Sequence, residues 1–416
     1  MMRTLYSYAI GCYATSVRIA APFNVKARQM SIGWKKWEQH FPKEILKDSK
    51  VAWFHASSLG EFEQARPVIE VFRDRHPEYK ICLTFFSPSG YEIRKDYTKA
   101  DIVCYLPPDT RHNAKRLIAM MHPDIAFFVK YDFWFNYLHQ LHLRNIPTYI
   151  FSAIFRKSQY FFKPYGLWFA RQLNCYNHLF VQNEESMDLL HSIGIERCSI
   201  AGDTRFDRVR DIASHAKHYP IVEAFLGNGQ TPVLMAGSSW EPDEENIKQF
   251  VDSYAKPLKL ILAPHMIGEN HLKHIERLFG EANCIRYSSI SEGDSSIENR
   301  KVLIIDNIGM LSSLYRYATI AYIGGGFGKG IHNILEAAVF GCPVCFGPNY
   351  QKFQEANNLI ATGGAMSYSD ASTLNEILRE WLDNEESYCR ARAACNKYIS
   401  ENLGATKKII DKTEEK

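Results

Sequence analysis

The sequence lacks several features that would place it outside the ordinary globular proteins. It has no internal repeat, no low-complexity segment, and no apolar run of the roughly 20 residues that a membrane-spanning helix needs. Its ten cysteines are scattered through apolar segments, unlike the dense set of a small secreted disulfide scaffold. These absences exclude fibrous, disordered and disulfide-stapled classes and favour a reducing compartment.

Metal-binding patterns are also scarce. Cys342 and Cys345 have Cys-x-x-Cys spacing, but no second pair or nearby histidine set completes a zinc site. The surrounding residues, CPVCF, are typical of a buried strand. The sequence therefore predicts no metal site.

Acidic residues are missing from the N-terminus, where none precedes Glu38. The apolar run Leu5–Val17 has only 13 residues, and basic residues surround it: Arg3, Arg18, Lys26, Arg28, Lys35 and Lys36. A cleaved signal peptide has similar ingredients, although the cysteine usage argues against export. We favour a membrane-associating helix that lies at an anionic surface on the cytoplasmic side.

The remaining chain has the composition of a two-domain α/β protein. It has 416 residues, 46% of them hydrophobic and 23% charged, which is too long for one ordinary core. Short β-rich runs such as VAWFHA, DIAFFVK and LKLILAPH alternate with amphipathic stretches, as in parallel sheets covered by helices. The predicted divisions are a membrane-associating segment at 1–35, a Rossmann-like domain at 36–205, a linker at 206–230, a second Rossmann-like domain at 231–385, and a C-terminal helix and tail at 386–416.

Two carboxylates follow predicted strands of the first domain. Glu61 comes after VAWFHA and the small residues of HASSLGE, and Asp132 comes after DIAFFV. An acid in the first turn of a helix is also favoured by the helix dipole alone. Because parallel α/β sheets bind ligands at the carboxyl ends of their strands, we expect both side chains at one edge of a central cleft.

The second domain contains a glycine-rich run, Gly324–Gly330, between a predicted strand and the predicted helix HNILEAAVFG. Its backbone amides and the helix N-terminus suggest an anion site, although the pattern of a nucleotide-triphosphate loop is not met. Glu336 in that helix is placed to accept hydrogen bonds from ribose hydroxyls, or simply complements the helix dipole. Arg205, in AGDTRFDRV, lies at the predicted domain junction, where a guanidinium suits a phosphate or carboxylate, although surface arginines are common.

At these residues the sequence resembles the 3-deoxy-manno-octulosonic acid (Kdo) transferases of lipopolysaccharide synthesis. The resemblance covers nearly the whole chain and is densest at HASSLGE, GDTRFD, GGGFGKGIHNILEAA and GPNYQKFQEA. It implies an inverting glycosyltransferase of the GT-B type, with two Rossmann-like domains facing a central cleft.

The resemblance also implies roles for individual residues. Glu61 matches the base that deprotonates the acceptor hydroxyl, and Asp132 and Arg205 match positions that stabilise the transition state. Lys130 stands where many members have another acid, and His265 where an arginine is usual. The CMP part of the donor would be held by Pro264, His265, Gly309, Met310, Leu311, Asn333, Ile334, Leu335 and Glu336.

The implied reaction is transfer of Kdo from CMP-Kdo to a lipid A precursor, lipid IVA, at the cytoplasmic face of the inner membrane. Neither a metal, another cofactor nor a nucleic-acid partner is expected, and the Asp-x-Asp motif of metal-dependent transferases is absent from the sequence. Two alternatives remain at this point. One is a GT-B enzyme that uses another nucleotide sugar, and the other is a non-catalytic protein that binds nucleotide sugars or anionic lipid.

Overall fold

Short runs of apolar, β-branched and aromatic residues form two parallel sheets. The computed structural model describes residues 2–41, 49–291 and 295–415. The chain divides into unit 1, Met1–Arg208 with Leu403–Lys416, and unit 2, Val209–Asn402. Each unit contains one seven-stranded sheet in which all strand pairs are parallel, which confirms the predicted two-domain α/β class.

Unit 1 is built on a sheet with the strand order β3-β2-β1-β4-β5-β6-β7. Its strands are β1 (Lys50–Ala56), β2 (Tyr79–Phe85), β3 (Ile102–Tyr105), β4 (Ile125–Val129), β5 (Thr148–Ala153), β6 (His178–Val181) and β7 (Cys198–Ile200). Its helices up to this point are α1 (Met2–Ala20), α2 (Val25–Lys36), α3 (Leu59–Arg75), α4 (Pro88–Arg94), α5 (Arg111–Met121), α6 (Phe135–Leu143), α7 (Leu167–Gln172) and α8 (Glu184–His191).

Both faces of the unit 1 sheet are buried. Val51 and Trp53 of β1 point into one apolar core, while Ala52 and Phe54 point into the other. Strands that are covered on both sides read as continuous apolar runs instead of alternating ones, which is why VAWFHA was recognisable.

Unit 2 has the strand order β10-β11-β9-β8-β12-β13-β14. The strands are β8 (Val233–Ser239), β9 (Lys259–Pro264), β10 (Cys284–Arg286), β11 (Val302–Ile304), β12 (Ile320–Ile323), β13 (Val344–Phe346) and β14 (Ala365–Ser367). The helices are α9 (Arg205–Ser214), which begins in unit 1, α10 (Pro220–Leu226), α11 (Glu241–Ser253), α12 (Glu269–Phe279), α13 (Leu311–Leu314), α14 (Leu335–Ala338), α15 (Gln354–Ala361), α16 (Ala371–Asp383) and α17 (Glu385–Glu401).

Two predicted divisions differ from the structure. The interval 206–230, predicted as a linker, contains most of α9 and all of α10, and unit 1 ends at Arg208 within α9. The interval 386–416, predicted as one C-terminal part, is split, because the last helix, α18 (Ala405–Glu414), belongs to unit 1. Its Ile409 and Ile410 are fully buried in the core beside α3. The apolar face of α18 is too short to predict from the sequence that this helix packs against unit 1.

The first two helices, α1 and α2, pack against the rest of unit 1. Tyr6 of α1 contacts the ring of Phe135 at 5.1 Å between centroids, and Trp34 of α2 is buried in a small cluster with Ala14 and Met30. Among the described helices, none combines the length and hydropathy needed to cross a membrane.

Candidate active site

The loops that follow β1 and β4 are joined by hydrogen bonds. The two strands are neighbours in the unit 1 sheet, so their carboxyl ends lie side by side. The Ser57 N–H donates to Oδ2 of Asp132 at 3.2 Å, and the Ser57 hydroxyl donates to Oδ1. The structure thus brings Asp132 to the loop that carries Glu61, as the sequence predicted.

Glu61 lies in the first turn of α3, just after this loop. Ser58 is the N-cap residue of α3, but its side chain caps no backbone N–H and instead donates to Oε2 of Glu61. The Glu61 side chain is half-buried. A carboxylate held by a neighbouring hydroxyl, with part of its surface open to solvent, can accept a proton from an incoming alcohol.

Behind Asp132 lies a buried histidine that sequence reasoning missed. Nε2 of His55 is 3.3 Å from the Ser57 hydroxyl and 3.9 Å from Oδ2 of Asp132. Its other ring nitrogen, Nδ1, contacts the Thr84 hydroxyl at 2.8 Å, which also accepts a hydrogen bond from Trp53. The only available signal was the position of His55 in the HASSLGE motif, because its partner Thr84 is on another strand.

Burial shifts the ionisation of both groups. It raises the pKa of Asp132 well above its usual range, and the charge of Glu61 raises it further, while the hydrogen bonds from Ser57 oppose the shift. Burial also lowers the pKa of His55 to about 3, so this imidazole is neutral at physiological pH. A carboxyl group whose pKa is raised by burial, next to a second carboxylate at the same sheet edge, is a typical feature of sites for acid–base chemistry.

Arg205 is held by an acidic neighbour. Its Nε and Nη2 donate to Oδ2 of Asp203 at 2.9 and 2.8 Å, and Asp203 also accepts from Gln64 of α3 at 3.0 Å. The Arg205 guanidinium is therefore oriented through α3, the same helix that carries Glu61. The sequence singled out Arg205 but not Asp203 or Gln64, which are buried.

Lys130 occupies a strained backbone position between β4 and Asp132. Its φ is 58°, in the left-handed region that non-glycine residues seldom adopt, and its N–H donates to the Phe151 carbonyl at 2.9 Å. Its ammonium lies 5.4 Å from the centre of the Tyr131 ring. The structure thus places a cation directly after β4, two residues before Asp132.

In unit 2, the glycine-rich loop differs from the predicted amide cradle. The N–H groups of Gly324, Gly328 and Gly330 donate to backbone carbonyls, and that of Gly325 donates to Asp243 at 3.0 Å. These amides are already used and cannot cradle an anion. The glycines instead allow close packing, since a Cβ on Gly324 would lie 2.2 Å from the Ser238 carbonyl oxygen.

The predicted helix after this loop is also shorter than expected. Within HNILEAAVFG, only Leu335–Ala338 is α-helical, so the dipole available to an anion is small. Asn333 lies just before this helix; its side-chain oxygen accepts from the Leu335 N–H at 3.2 Å, and its amide donates to Oε1 of Glu336 at 3.0 Å. Glu336 is half-buried, while the side chains of Ile334 and Leu335 are fully buried and can offer a ligand only their backbone groups.

His265 takes part in a stack of three rings. It follows the buried Pro264 at the end of β9, and its ring lies 4.6 Å from Trp240 on one side and 4.6 Å from His332 on the other. The neighbouring cavity has a volume of about 550 Å³ and is lined by Trp240, Phe327, Lys329 and His332, among others. Burial and the neighbouring His265 lower the pKa of His332. The sequence pointed to His265 but not to its two stacking partners.

The remaining predicted donor residues lie after β11. Gly309 has φ +94°, which permits the turn before α13, Met310 is buried, and Leu311 begins α13. Within the residues that the structure describes, no group of three or more His, Cys, Asp or Glu side chains is arranged to hold a metal ion. Cys342 and Cys345 are both buried and unpaired, and Cys345 lies in β13.

Solved structures share this two-domain α/β fold. UDP-GlcNAc 2-epimerase from Neisseria meningitidis, bound to UDP-GlcNAc, matches with a TM-score of 0.61 and 18% identity, covering 87% of this chain and 98% of that one. MurG from Acinetobacter baumannii matches with a TM-score of 0.56 and 13% identity, covering 87% and 98%. The fold class is therefore that of proteins with two α/β domains, each built on one parallel sheet, as the GT-B resemblance implied.

Sequence comparisons show which proteins the chain is similar to. A family model described as 3-deoxy-D-manno-octulosonic-acid transferase matches residues 35–208. The 3-deoxy-D-manno-octulosonic acid transferase of Haemophilus influenzae is 26% identical over 379 residues, 86% of this chain and 85% of that protein. The protein of the same name from Aquifex aeolicus is 27% identical over 337 residues, 79% and 85%. The chain is thus similar over most of its length to proteins named as Kdo transferases, and the family model of these enzymes matches its first domain.

The buried His55 yields a prediction about pH. Its imidazole signals, followed by NMR and assigned with His55→Gln, should show the neutral form from pH 8 down to about pH 4.5. The unfolded chain takes up a proton on His55 near pH 6.5, whereas the folded protein does so only near pH 3. The free energy of unfolding should therefore be unaffected by His55 above pH 6.5 and should fall as the pH is lowered from 6.5 toward 3. A titration of His55 with a midpoint near 6.5 would contradict the buried, neutral assignment.

Proposed function

We propose that this protein transfers Kdo from CMP-Kdo to the lipid A precursor lipid IVA, by inverting transfer that needs no metal, in lipopolysaccharide biosynthesis. Similarity to proteins named as Kdo transferases supports Kdo transfer in general. The observation that carries the proposal for this chain is the joined pair of loops that places Glu61 and Asp132 at one edge of the unit 1 sheet.

Glu61 is proposed as the general base. Inverting transfer requires a group that removes the proton from the acceptor hydroxyl as the new glycosidic bond forms. Asp132 is almost fully buried and its pKa is raised, whereas Glu61 is half-buried and held by a hydroxyl donor, so Glu61 is better placed to take a proton from an incoming alcohol.

Asp132 and Arg205 are proposed to stabilise the transition state. Asp132 is fixed by Ser57 and its carbonyl accepts from the buried Tyr176 hydroxyl at 2.9 Å, so it is preorganised. The guanidinium of Arg205, oriented by Asp203, supplies positive charge for the phosphate that departs with CMP. Because Arg205 would supply the positive charge that a metal ion could otherwise provide, the proposed transfer needs no metal.

The CMP part of the donor is assigned to unit 2, at Pro264, His265, Gly309, Met310, Leu311 and Asn333–Glu336. Glu336, oriented by the Asn333 amide, would accept hydrogen bonds from the two ribose hydroxyls. His265 stands where the resemblance implies an arginine, and it offers an imidazole ring within its stack instead of a bidentate guanidinium fork.

The acceptor is a lipid, and α1 and α2 are proposed to contact the cytoplasmic face of the inner membrane. Apolar side chains of α1 and of the turn that follows it are exposed. The exposed fractions are 63% for Leu5, 70% for Tyr8 and 69% for Ile19 in α1, and 92% for Phe23 in the turn. The basic residues of this region are available to attract anionic lipid.

Replacement of Glu61 tests the proposed base. Glu61→Gln should lower the rate of transfer from CMP-Kdo by about 10²- to 10⁴-fold, the usual cost of losing a general base, while leaving CMP affinity unchanged. The matched control is Glu63→Gln on the same helix, whose carboxylate pairs with Arg94 at 3.0 Å. All assays contain excess EDTA. Activity of Glu61→Gln within a few-fold of the unmodified enzyme would refute the base assignment, and loss of wild-type activity in EDTA would refute metal independence.

Replacement of Glu336 tests the donor site. Glu336→Ala should weaken CMP binding by roughly 1.5 to 3 kcal/mol, because hydrogen bonds to a charged group would be lost. Calorimetric titration with CMP measures the effect, and Glu376→Ala, an exposed carboxylate on α16, is the control. Unchanged CMP affinity would leave Glu336 with a structural role only.

Membrane contact is tested at exposed side chains, because deleting α1 would uncover the cluster around Trp34. The double variant Leu5→Ser/Phe23→Ser should reduce flotation with vesicles that contain anionic lipid, since apolar burial and charge attraction act together at the interface. Ile93→Ser, at another exposed apolar residue of unit 1 that is 56% exposed, should have no effect. Equal flotation of the unmodified protein, the double variant and Ile93→Ser would contradict the proposed role of α1 and α2.

A further inference from the structure

A small cavity of unit 1 is lined largely by cationic side chains. Its volume is about 330 Å³. The lining residues come from the beginning of α1, from α5 and from α6, and they are Arg3, Arg111, Lys115, Asn136, His139 and Gln140. None of them belongs to the proposed base, the transition-state residues or the CMP site.

These cations lack anionic partners. In residues 2–41, 49–291 and 295–415, neither Arg3, Arg111 nor Lys115 forms an ion pair, and Nε of Arg3 is buried without a hydrogen-bond partner. Burial and the neighbouring Arg111 lower the pKa of Arg3. The pKa of His139 is lowered by burial and then by Arg3, His142 and Arg111. A half-buried guanidinium with an unsatisfied N–H beside another cation is unfavourable unless an anion compensates it.

The acid that precedes α5 does not supply this compensation. Asp109 is fully buried and accepts hydrogen bonds from the Tyr6 hydroxyl at 2.8 Å and from the N–H groups of Asn136 and Tyr137, both at 3.0 Å. Both of its carboxylate oxygens are engaged by these donors. Burial raises the pKa of Asp109 to about 7, so even its own charge is incomplete at neutral pH.

The walls of the cavity are fixed by hydrogen bonds. Arg111 donates to the Thr4 hydroxyl at 2.7 Å, which joins the start of α5 to α1, and the Asn136 amide donates to the Ser7 hydroxyl at 3.1 Å. Helix α5 begins at Arg111, and its first turn contains no acid. Cations at a helix N-terminus are unfavourably placed, because the helix dipole is positive there. A bound anion would offset both this unfavourable placement and the repulsion among the cations.

We propose that this cavity is a binding site for a phosphate monoester group. A dianion is matched to three cationic side chains, and guanidinium groups together with a lysine are the usual partners of phosphate oxygens. The Gln140 amide and the His139 ring add neutral groups that can hydrogen-bond the same anion, while the Asn136 amide is already engaged by Ser7 and by the Asp109 carbonyl. The phosphate could belong to a soluble ester or to the headgroup of a lipid, because α1 is also the helix with the exposed apolar side.

Calorimetric titration tests the site with inorganic phosphate and with glycerol 3-phosphate, at constant ionic strength set by chloride. Both ligands should bind, and Arg111→Gln/Lys115→Gln should lower their affinity by at least about tenfold, the factor expected when a charged hydrogen bond is lost. The matched control is Arg116→Gln, which removes an exposed arginine of the same helix that pairs with Glu38 at 2.7 Å. The affinity of Arg116→Gln for both phosphate ligands should stay within about twofold of that of the wild-type protein.

Vesicle flotation distinguishes the source of the phosphate. If the natural ligand is a lipid headgroup, the double variant should lose binding to vesicles with phosphatidic acid, a monoester, more than to vesicles with an equal charge of phosphatidylglycerol, a diester. If the ligand is soluble, only the titrations should change. Phosphate binding is measured without a glycosyl donor, so its outcome is independent of the proposed transfer reaction.

The proposal is overturned if neither phosphate nor glycerol 3-phosphate binds saturably, or if Arg111→Gln/Lys115→Gln binds as tightly as wild type. Equal weakening by Arg116→Gln would also overturn it, because that result indicates general charge attraction instead of a site. Should the double variant fail to fold, as judged by circular dichroism, the exposed Lys115→Gln alone replaces it and should still lower the affinity.

Discussion

The hydrogen bonds from Ser57 to Asp132 join the loops after two adjacent parallel strands, and the proposed chemistry of unit 1 depends on them. They place a buried carboxylate beside the N-terminal turn of α3, where Ser58 holds Glu61. The same helix positions Arg205 through Gln64 and Asp203. If this contact were lost, the loops that carry Glu61 and Asp132 would no longer be joined. Burial of Asp132 without its Ser57 partner would also cost free energy.

Much of this arrangement could be predicted from the sequence. Long apolar strands such as β1 and β4 were evident because both of their faces are covered, and the carboxylates that follow them were expected at one sheet edge. The strands β6, β7, β10 and β14 were not predicted. They have only three or four residues, and each includes a polar side chain that interrupts the apolar pattern. His55 was missed because its partners come from other strands, and periodicity along one segment cannot show contacts between segments.

The glycine-rich loop shows how a motif can be located correctly and still be misinterpreted. The run Gly324–Gly330 lies beside a cavity, yet four of its amides already donate to protein acceptors. Glycine at these positions permits close packing of the backbone, and side chains such as His265 and Glu336 are left as the proposed ligand groups. In unit 1 the proposed phosphate contacts are likewise assigned to side chains, at Arg205 and around Arg111. In both units the proposed anion contacts therefore come from side chains placed by the sheet edges and helix starts.

The most direct measurement of the central claim is the mass of the product formed by the purified full-length protein. The protein is incubated with lipid IVA and with CMP-Kdo generated in place, and in parallel with UDP-GlcNAc as an alternative donor. The account predicts that the lipid gains one or more Kdo residues in the first reaction and remains unmodified in the second. An unmodified lipid with CMP-Kdo, or a sugar transferred from UDP-GlcNAc, would contradict it.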